Sequence, residues 1–219
     1  MDDNNEDEES ISIKVTMVGS VGVGKSCIVD RYTRNIYSPS SKSTVGANYF
    51  KKELVVNKKN VLLDIWDTAG QEKFHSMGRH FYKNSNIVVI VYDITNIQTF
   101  EDIKNYWYND VKENGEIYKV IGIVGNKMDL YDNEGIKEID ENIIKDFIRK
   151  ISVDKDSKFV DMKVSAKTGV NIKNLFDKLV EEYLQKEFNF LVRQETIKRG
   201  TTFKMMENIR GEKRRTCCN

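Results

Sequence analysis

At 219 residues, with 35 basic against 34 acidic side chains and a net charge of +1, the chain is long enough for one domain with a substantial core and an additional tail. The near-zero balance gives no support for a nucleic-acid binder, and no run of about 18 apolar residues is available to span a bilayer as a helix. Three cysteines, Cys27 and the adjacent pair Cys217 and Cys218, do not make a disulfide framework; with no apolar leader at the start, the expectation is an intracellular protein with reduced thiols.

Residues 1–10 form an acidic arm that includes Asp2, Asp3, Glu6, Asp7, Glu8 and Glu9, expected to be disordered, solubilising chain. An apolar strand over 13–18 leads into Gly19-Ser20-Val21-Gly22-Val23-Gly24-Lys25-Ser26, and a helical pattern covers 27–33. The spacing G-x-x-x-x-G-K-S between a strand and a helix predicts a phosphate-binding loop. Its glycines let successive N–H groups converge on phosphate oxygens, Lys25 adds a point charge, and the Ser26 hydroxyl suits a magnesium ion. Residues 38–43, with the sole proline Pro39, read as a mobile loop ending at Thr44. Strands over 49–56 and 61–66, joined by the polar link Asn57-Lys58-Lys59-Asn60, read as an antiparallel hairpin. Further strands over 87–92, 120–124 and 159–164 alternate with helices over 100–111 and 139–151. A last helix follows from the spacing of Ile172, Leu175, Phe176, Leu179, Val180, Tyr183 and Leu184. This alternation predicts an α/β fold of the P-loop NTPase type: a six-stranded, mostly parallel, doubly wound sheet with one antiparallel strand and helices on both faces. The nucleotide-binding domain is expected over 11–187. Residues 188–219 lack helical periodicity and read as a flexible basic tail.

Four further motifs follow the phosphate loop. The Thr44 hydroxyl is placed to complete magnesium coordination when a γ-phosphate is present, and Asp67, at a strand end and followed by Thr68-Ala69-Gly70-Gln71-Glu72, can hold the same ion through its carboxylate. Asn126-Lys127-Met128-Asp129 comes directly after a strand. A carboxylate there can accept both N1–H and N2–H₂ of guanine, a donor pair that adenine lacks, so Asp129 is expected to select GTP over ATP. Ser165-Ala166-Lys167, after the last strand, would close over the base. Gln71, directly after Asp-Thr-Ala-Gly, is the expected catalytic residue and would orient the attacking water. Cys27 reads as a helix-face residue beside the loop, and His75 and His80 form no metal-ligand pattern.

With all five motifs in order, residues 12–186 resemble a Ras-superfamily small GTPase. The segment Ile65-Trp66-Asp67-Thr68-Ala69-Gly70-Gln71-Glu72-Lys73-Phe74, the run Ser43-Thr44-Val45-Gly46 and the ending Thr216-Cys217-Cys218-Asn219 are similar to the Rab branch. Phe81-Tyr82-Lys83-Asn84 and Asn48 depart from the branch's usual Tyr-Tyr-Arg-Gly and aspartate. The resemblance implies that the Ala166 N–H reaches the guanine O6, that Asn126 braces the base pocket, that the Lys127 stem packs on the nucleotide and that Tyr37 stacks on guanine. It also implies that Cys217 and Cys218 are doubly geranylgeranylated, and that Tyr49, Trp66 and Phe81 present an effector surface.

The implied function is a membrane-anchored switch in vesicle trafficking that binds GTP/GDP with Mg²⁺ and hydrolyses GTP. Implied partners are a nucleotide exchange factor, a GTPase-activating protein supplying an arginine, a GDP-dissociation inhibitor, a Rab escort protein with geranylgeranyl transferase, and effectors of the GTP state. Its expected place is the cytoplasmic side of intracellular membranes, with a cytosolic pool. The basic tail would add attraction to anionic lipid beside the lipid anchor. Val21 stands where the Ras branch commonly carries glycine, and its branched side chain would crowd the γ-phosphate and Gln71. Slow hydrolysis is therefore expected, and a nearly non-hydrolysing GTP-dependent binding module is the alternative reading.

Overall fold

The computed structural model describes residues 10–38, 44–70, 81, 83–114, 120–131, 139–153 and 157–192. Six strands, β1 (Ile11–Val18), β2 (Ala47–Val56), β3 (Lys59–Thr68), β4 (Ile87–Asp93), β5 (Val120–Asn126) and β6 (Lys158–Lys163), form one sheet in the order β2-β3-β1-β4-β5-β6. All neighbours are parallel except β2 and β3, which run antiparallel as the hairpin pattern predicts. The hairpin turn is tighter than the sequence suggests. Lys59 and Asn60 pair with Val56 and Val55, leaving only Asn57 and Lys58 in the turn, at φ of 51° and 62°. Two consecutive positive φ values match the twist of the flanking strands, so the pairing extends by two residues that composition assigned to the link.

β4 and β5 are buried along their whole length, the mark of parallel strands covered on both faces. On one face, Val88, Ile90, Ile121 and Ile123 pack with Phe100, Ile103, Val111 and Ile144. On the other, Gly122 leaves room for Leu179, which a Cβ there would meet at 3.2 Å. Among the described residues the α-helices are α1 (Lys25–Arg34), α2 (Ile97–Asp102), α3 (Tyr108–Asn114), α4 (Glu141–Ile151) and α5 (172–183). The single helix expected over 100–111 is α2 and α3 joined by a π-helical segment, Ile103–Trp107. Side chains cap two of these helices: Asn96 Oδ1 accepts from Gln98 N at 3.1 Å before α2, and Asp140 Oδ1 accepts from Asn142 N at 2.9 Å before α4.

The chain divides into two units, 1–183 and 184–219. The first holds the sheet. In the second, residues 184–192 are helical, so the flexible tail expected from 188 is corrected at its start: 188–192 are helix. Their apolar residues Phe188, Phe190, Leu191 and Val192 tolerate helix without supplying a clear period.

From β1 the chain goes to β2 and β3 on one side and then crosses to β4 on the other, so the order reverses at β1. Such a switch point opens a crevice beyond the carboxyl ends of the strands, and the loops after β1, β3, β5 and β6 carry the motifs singled out above.

Candidate functional site

The loop after β1 wraps onto the start of α1. Gly24 is the N-cap of α1 at φ 94°, and a Cβ there would strike the Asn126 side chain, so the loop closes against the end of β5 only with glycine. Lys25 is 6% exposed; its Nζ donates to Gly19 O at 2.7 Å and Ser20 O at 3.0 Å. Burial pushes its ammonium down to about 8, opposed in part by the negative charge of Asp67. A Cβ on Gly70 would lie 2.5 Å from Lys25 Nζ and 2.7 Å from Gly19 O, so the backbone after β3 lies directly against the loop. Val23 is fully buried, whereas Val21 is 46% exposed.

Beside Lys25, Ser26 Oγ and Thr44 Oγ1 are 2.9 Å apart. Asp67 is fully buried and neither carboxylate oxygen has a hydrogen-bond partner. Burial raises its pKa, with the neighbouring Ser26 hydroxyl and the Lys25 charge pulling the other way. An unpartnered buried carboxylate is costly, and a hard cation with oxygen ligands is the group that two hydroxyls and a carboxylate fit. Among the described residues no cluster of three or more His, Cys, Asp or Glu offers a metal site of that kind.

The other end of the crevice is bound together by Asn126, which is 2% exposed. Its Nδ2 donates to Val23 O at 2.9 Å and its Oδ1 accepts from Ala166 N at 3.1 Å, so one amide ties the phosphate loop to the loop after β6. Lys127 sits in the left-handed region at φ 73°, a strained conformation for a residue with a Cβ. Its Nζ pairs with Asp93 Oδ2 at 2.6 Å, which holds the side chain along the crevice. Asp129 Oδ1 accepts from Ser165 Oγ at 2.6 Å, and Lys167 Nζ lies 3.7 Å from Asp129 Oδ2. Cys27, Tyr37, Asn126, Lys127, Asp129 and Ala166 are among the walls of a cleft of about 330 Å³, a volume suited to a heterocyclic base.

A glycine-rich loop after β1, a pair of hydroxyls, a buried carboxylate and an Asn-Lys-x-Asp corner now stand along one crevice. The Ras family model matches residues 14–185. Similar proteins include Rab-22A of Homo sapiens, 32% identical over 206 residues covering 94% of this chain and 97% of the relative. RABF2a of Arabidopsis thaliana is 34% identical over 168 residues, 77% of this chain and 79% of the relative. Rab-24 of Dictyostelium discoideum is 33% identical over 182 residues, 82% and 84%. The chain belongs to the Ras superfamily of small GTPases, in the Rab family.

In this Rab-family GTPase, Tyr49, Trp66 and Phe81 are brought side by side. Ring centroids are 5.1 Å apart for Tyr49 and Trp66 and 5.7 Å for Trp66 and Phe81. Tyr49 is 46% exposed, and its hydroxyl donates to Asp64, which also accepts from Ser12 Oγ at 2.8 Å. Gln71, Cys217 and Cys218, the acidic arm over 1–9, the histidines and the tail from 193 lie outside the described residues. Cys27 lines the same cleft, with its Sγ 3.7 Å from Ser38 O and its thiol pushed up by burial. The role of Arg31 is not legible in the sequence. From α1 its Nε donates to Ala166 O at 2.9 Å and Nη2 to Lys167 O at 2.8 Å, so it holds the loop after β6 from behind. An arginine on an amphipathic helix carries no local signal that would have revealed this.

Proposed function

We propose that this chain is a GTP/GDP switch of the Rab type that uses Mg²⁺, hydrolyses GTP and acts in vesicle trafficking from a lipid-anchored position on the cytoplasmic side of intracellular membranes. The observation that carries the reading is the fully buried, unpartnered Asp67 carboxylate beside Ser26, Thr44 and Lys25. Ser26, Thr44 and Asp67 would hold Mg²⁺, which when bound neutralises charge on the phosphate oxygens. The residues from Ser20 to Ser26, with Gly70, wrap the phosphates by backbone N–H groups, and Lys25 turns its ammonium from the Gly19 and Ser20 carbonyls toward them. Asp129 accepts from the guanine edge while Ser165 and Lys167 hold its carboxylate. Ala166 offers its N–H to the base oxygen, Asn126 and Lys127 fix the pocket, and Tyr37 and Cys27 wall it.

Gln71 orients the water that attacks the γ-phosphorus, and a GTPase-activating protein supplies an arginine. Thr44 and Gly70 lie on the two loops that the phosphate holds in place, so their release changes the face beside Tyr49, Trp66 and Phe81 that effectors read. Exchange factor, GDP-dissociation inhibitor, escort protein and prenyltransferase are the further partners, the last acting on Cys217 and Cys218. Val21 favours slow hydrolysis: its side chain stands 46% exposed at the loop where an incoming γ-phosphate and arginine would meet.

Displacement of a fluorescent GDP analogue tests the binding reading. GDP and GTP should compete, ATP should not, and chelation of Mg²⁺ should speed release; equal competition by ATP would sink it. Single-turnover hydrolysis by the wild type and Val21→Ser tests the rate. A faster variant supports crowding, and equal rates remove Val21 from the account.

A further inference from the structure

Ser20 is gripped on two sides. Its backbone carbonyl accepts from Lys25 Nζ at 3.0 Å, and Gly70 packs against its carbonyl carbon. Its side chain points the opposite way, into the helix after β4. Ser20 Oγ donates to Asp102 Oδ2 at 2.7 Å and accepts from Trp107 Nε1 at 3.2 Å, so the hydroxyl uses both its donor and an acceptor site on one helical segment. Asp102 is itself oriented: its other oxygen accepts from Gln98 Nε2 at 3.0 Å. Trp107 is 6% exposed and packs edge-on against Tyr106 at 5.0 Å.

The helical geometry explains how two residues five apart reach one hydroxyl. On an α-helix, positions i and i+5 point about 140° apart. Between Asp102 and Trp107 the helix widens to i→i+5 bonding over Ile103–Trp107, with Tyr108 N donating to Ile103 O. The wider turn brings residue i+5 back over residue i, and π-helical insertions of this kind concentrate at functional positions. A regular α-helix would have turned either the carboxylate or the indole away from the loop.

We infer that Asp102 and Trp107 are positioning residues for the phosphate loop: through the Ser20 hydroxyl they fix the loop backbone that carries the Lys25 contact, and so set the lifetime of bound nucleotide. The inference rests on the nucleotide-binding reading above. It adds a connection from the phosphates to the surface of α2 and the π-helical segment, the route by which a ligand on that surface would alter nucleotide release.

The test is GDP-analogue release from full-length protein in the wild type, Asp102→Asn, Trp107→Phe, Ser20→Ala and the double variant Ser20→Ala/Asp102→Asn. Asp102→Asn keeps the side-chain shape, and Trp107→Phe keeps most of the apolar packing. Each should release GDP several-fold faster, up to about tenfold, the scale of one lost hydrogen bond. The double variant should be no faster than Ser20→Ala alone, because both changes break the same contact. The preference for GDP over ATP should stay unchanged. Release rates equal to wild type, or an additive double variant, would overturn the inference. If Trp107→Phe fails to fold, Asp102→Asn and its cycle with Ser20→Ala still decide. A wild type that does not bind GDP would instead defeat the nucleotide reading itself, so the two failures are distinguishable.

Discussion

The two ends of the crevice are prepared for a ligand in opposite ways. At the base end every principal side chain is already engaged: Asn126 spans two loops, Asp129 is held by Ser165 and Lys167, Lys127 by Asp93, and Arg31 braces the backbone behind them. At the phosphate end Asp67 is buried without a hydrogen-bond partner, and the Lys25 ammonium is depressed by burial while bonded only to carbonyls. A neutral base needs shape and a few directed polar groups, which a folded chain can preassemble at little electrostatic cost. Under the proposed reading, a metal–phosphate group brings its own strong charges, so its site would carry charge that is compensated on binding.

Breaking each end should therefore have a different signature. The largest effect is expected from Asp129→Asn, which under the proposed reading would set a donor against the donors of guanine. GTP and GDP affinity should fall on the order of 10²–10⁴-fold, as the loss of two charge-assisted hydrogen bonds implies, with little change in the thermal stability of the nucleotide-free protein. Competition binding and a melting curve check both parts. Asp67→Asn should do the reverse to stability. Removing a buried carboxylate that has no hydrogen-bond partner should raise the midpoint of the nucleotide-free protein, by an amount limited by the attraction to Lys25 that is lost with it, while the Mg²⁺ dependence of GDP affinity is lost; a lowered midpoint would mean that Asp67 is compensated within the fold.

The smallest effect concerns the rim of the base end. Glu141, at the start of α4, pairs with Lys163 at 3.0 Å and Lys145 at 2.8 Å, and Lys163 lies two residues before Ser165. Hydrogen bonds from Lys145 and Lys163 hold its carboxyl down at about 2. A depressed carboxyl contributes stability that is present above its unfolded value near 4.5 and lost as pH falls toward 2. Because the pair is exposed, Glu141→Gln should shift the acid unfolding midpoint only slightly, and added salt should erase the difference.

Much of this was legible in the chain. The apolar runs located all six strands, most plainly β4 and β5, because parallel strands covered on both faces are apolar throughout, and the turn from β1 into α1 was marked by glycines and Lys25 lying within seven residues. The hairpin was readable, but its turn was not: Lys58 carries no sign that it adopts a positive φ. The same holds for the π-helical segment, since Ile103-Lys104-Asn105-Tyr106-Trp107 fits an α-helical period well enough to conceal it. The clamp of Arg31 on the loop after β6 joins residues 135 and 136 positions apart, a distance across which local pattern carries no information.

What the sequence determined by itself is the fold class, the order of the motifs and the chemical types at each, because these follow from short-range spacing and side-chain chemistry. Only the tertiary structure decided which of those groups are satisfied and which are buried without a hydrogen bond. Asn126 and Asp67 look equally polar in a string of letters. One completes its hydrogen bonds across two loops and the other is sealed from water without any, and that difference depends on which backbones the sheet topology brings against each side chain.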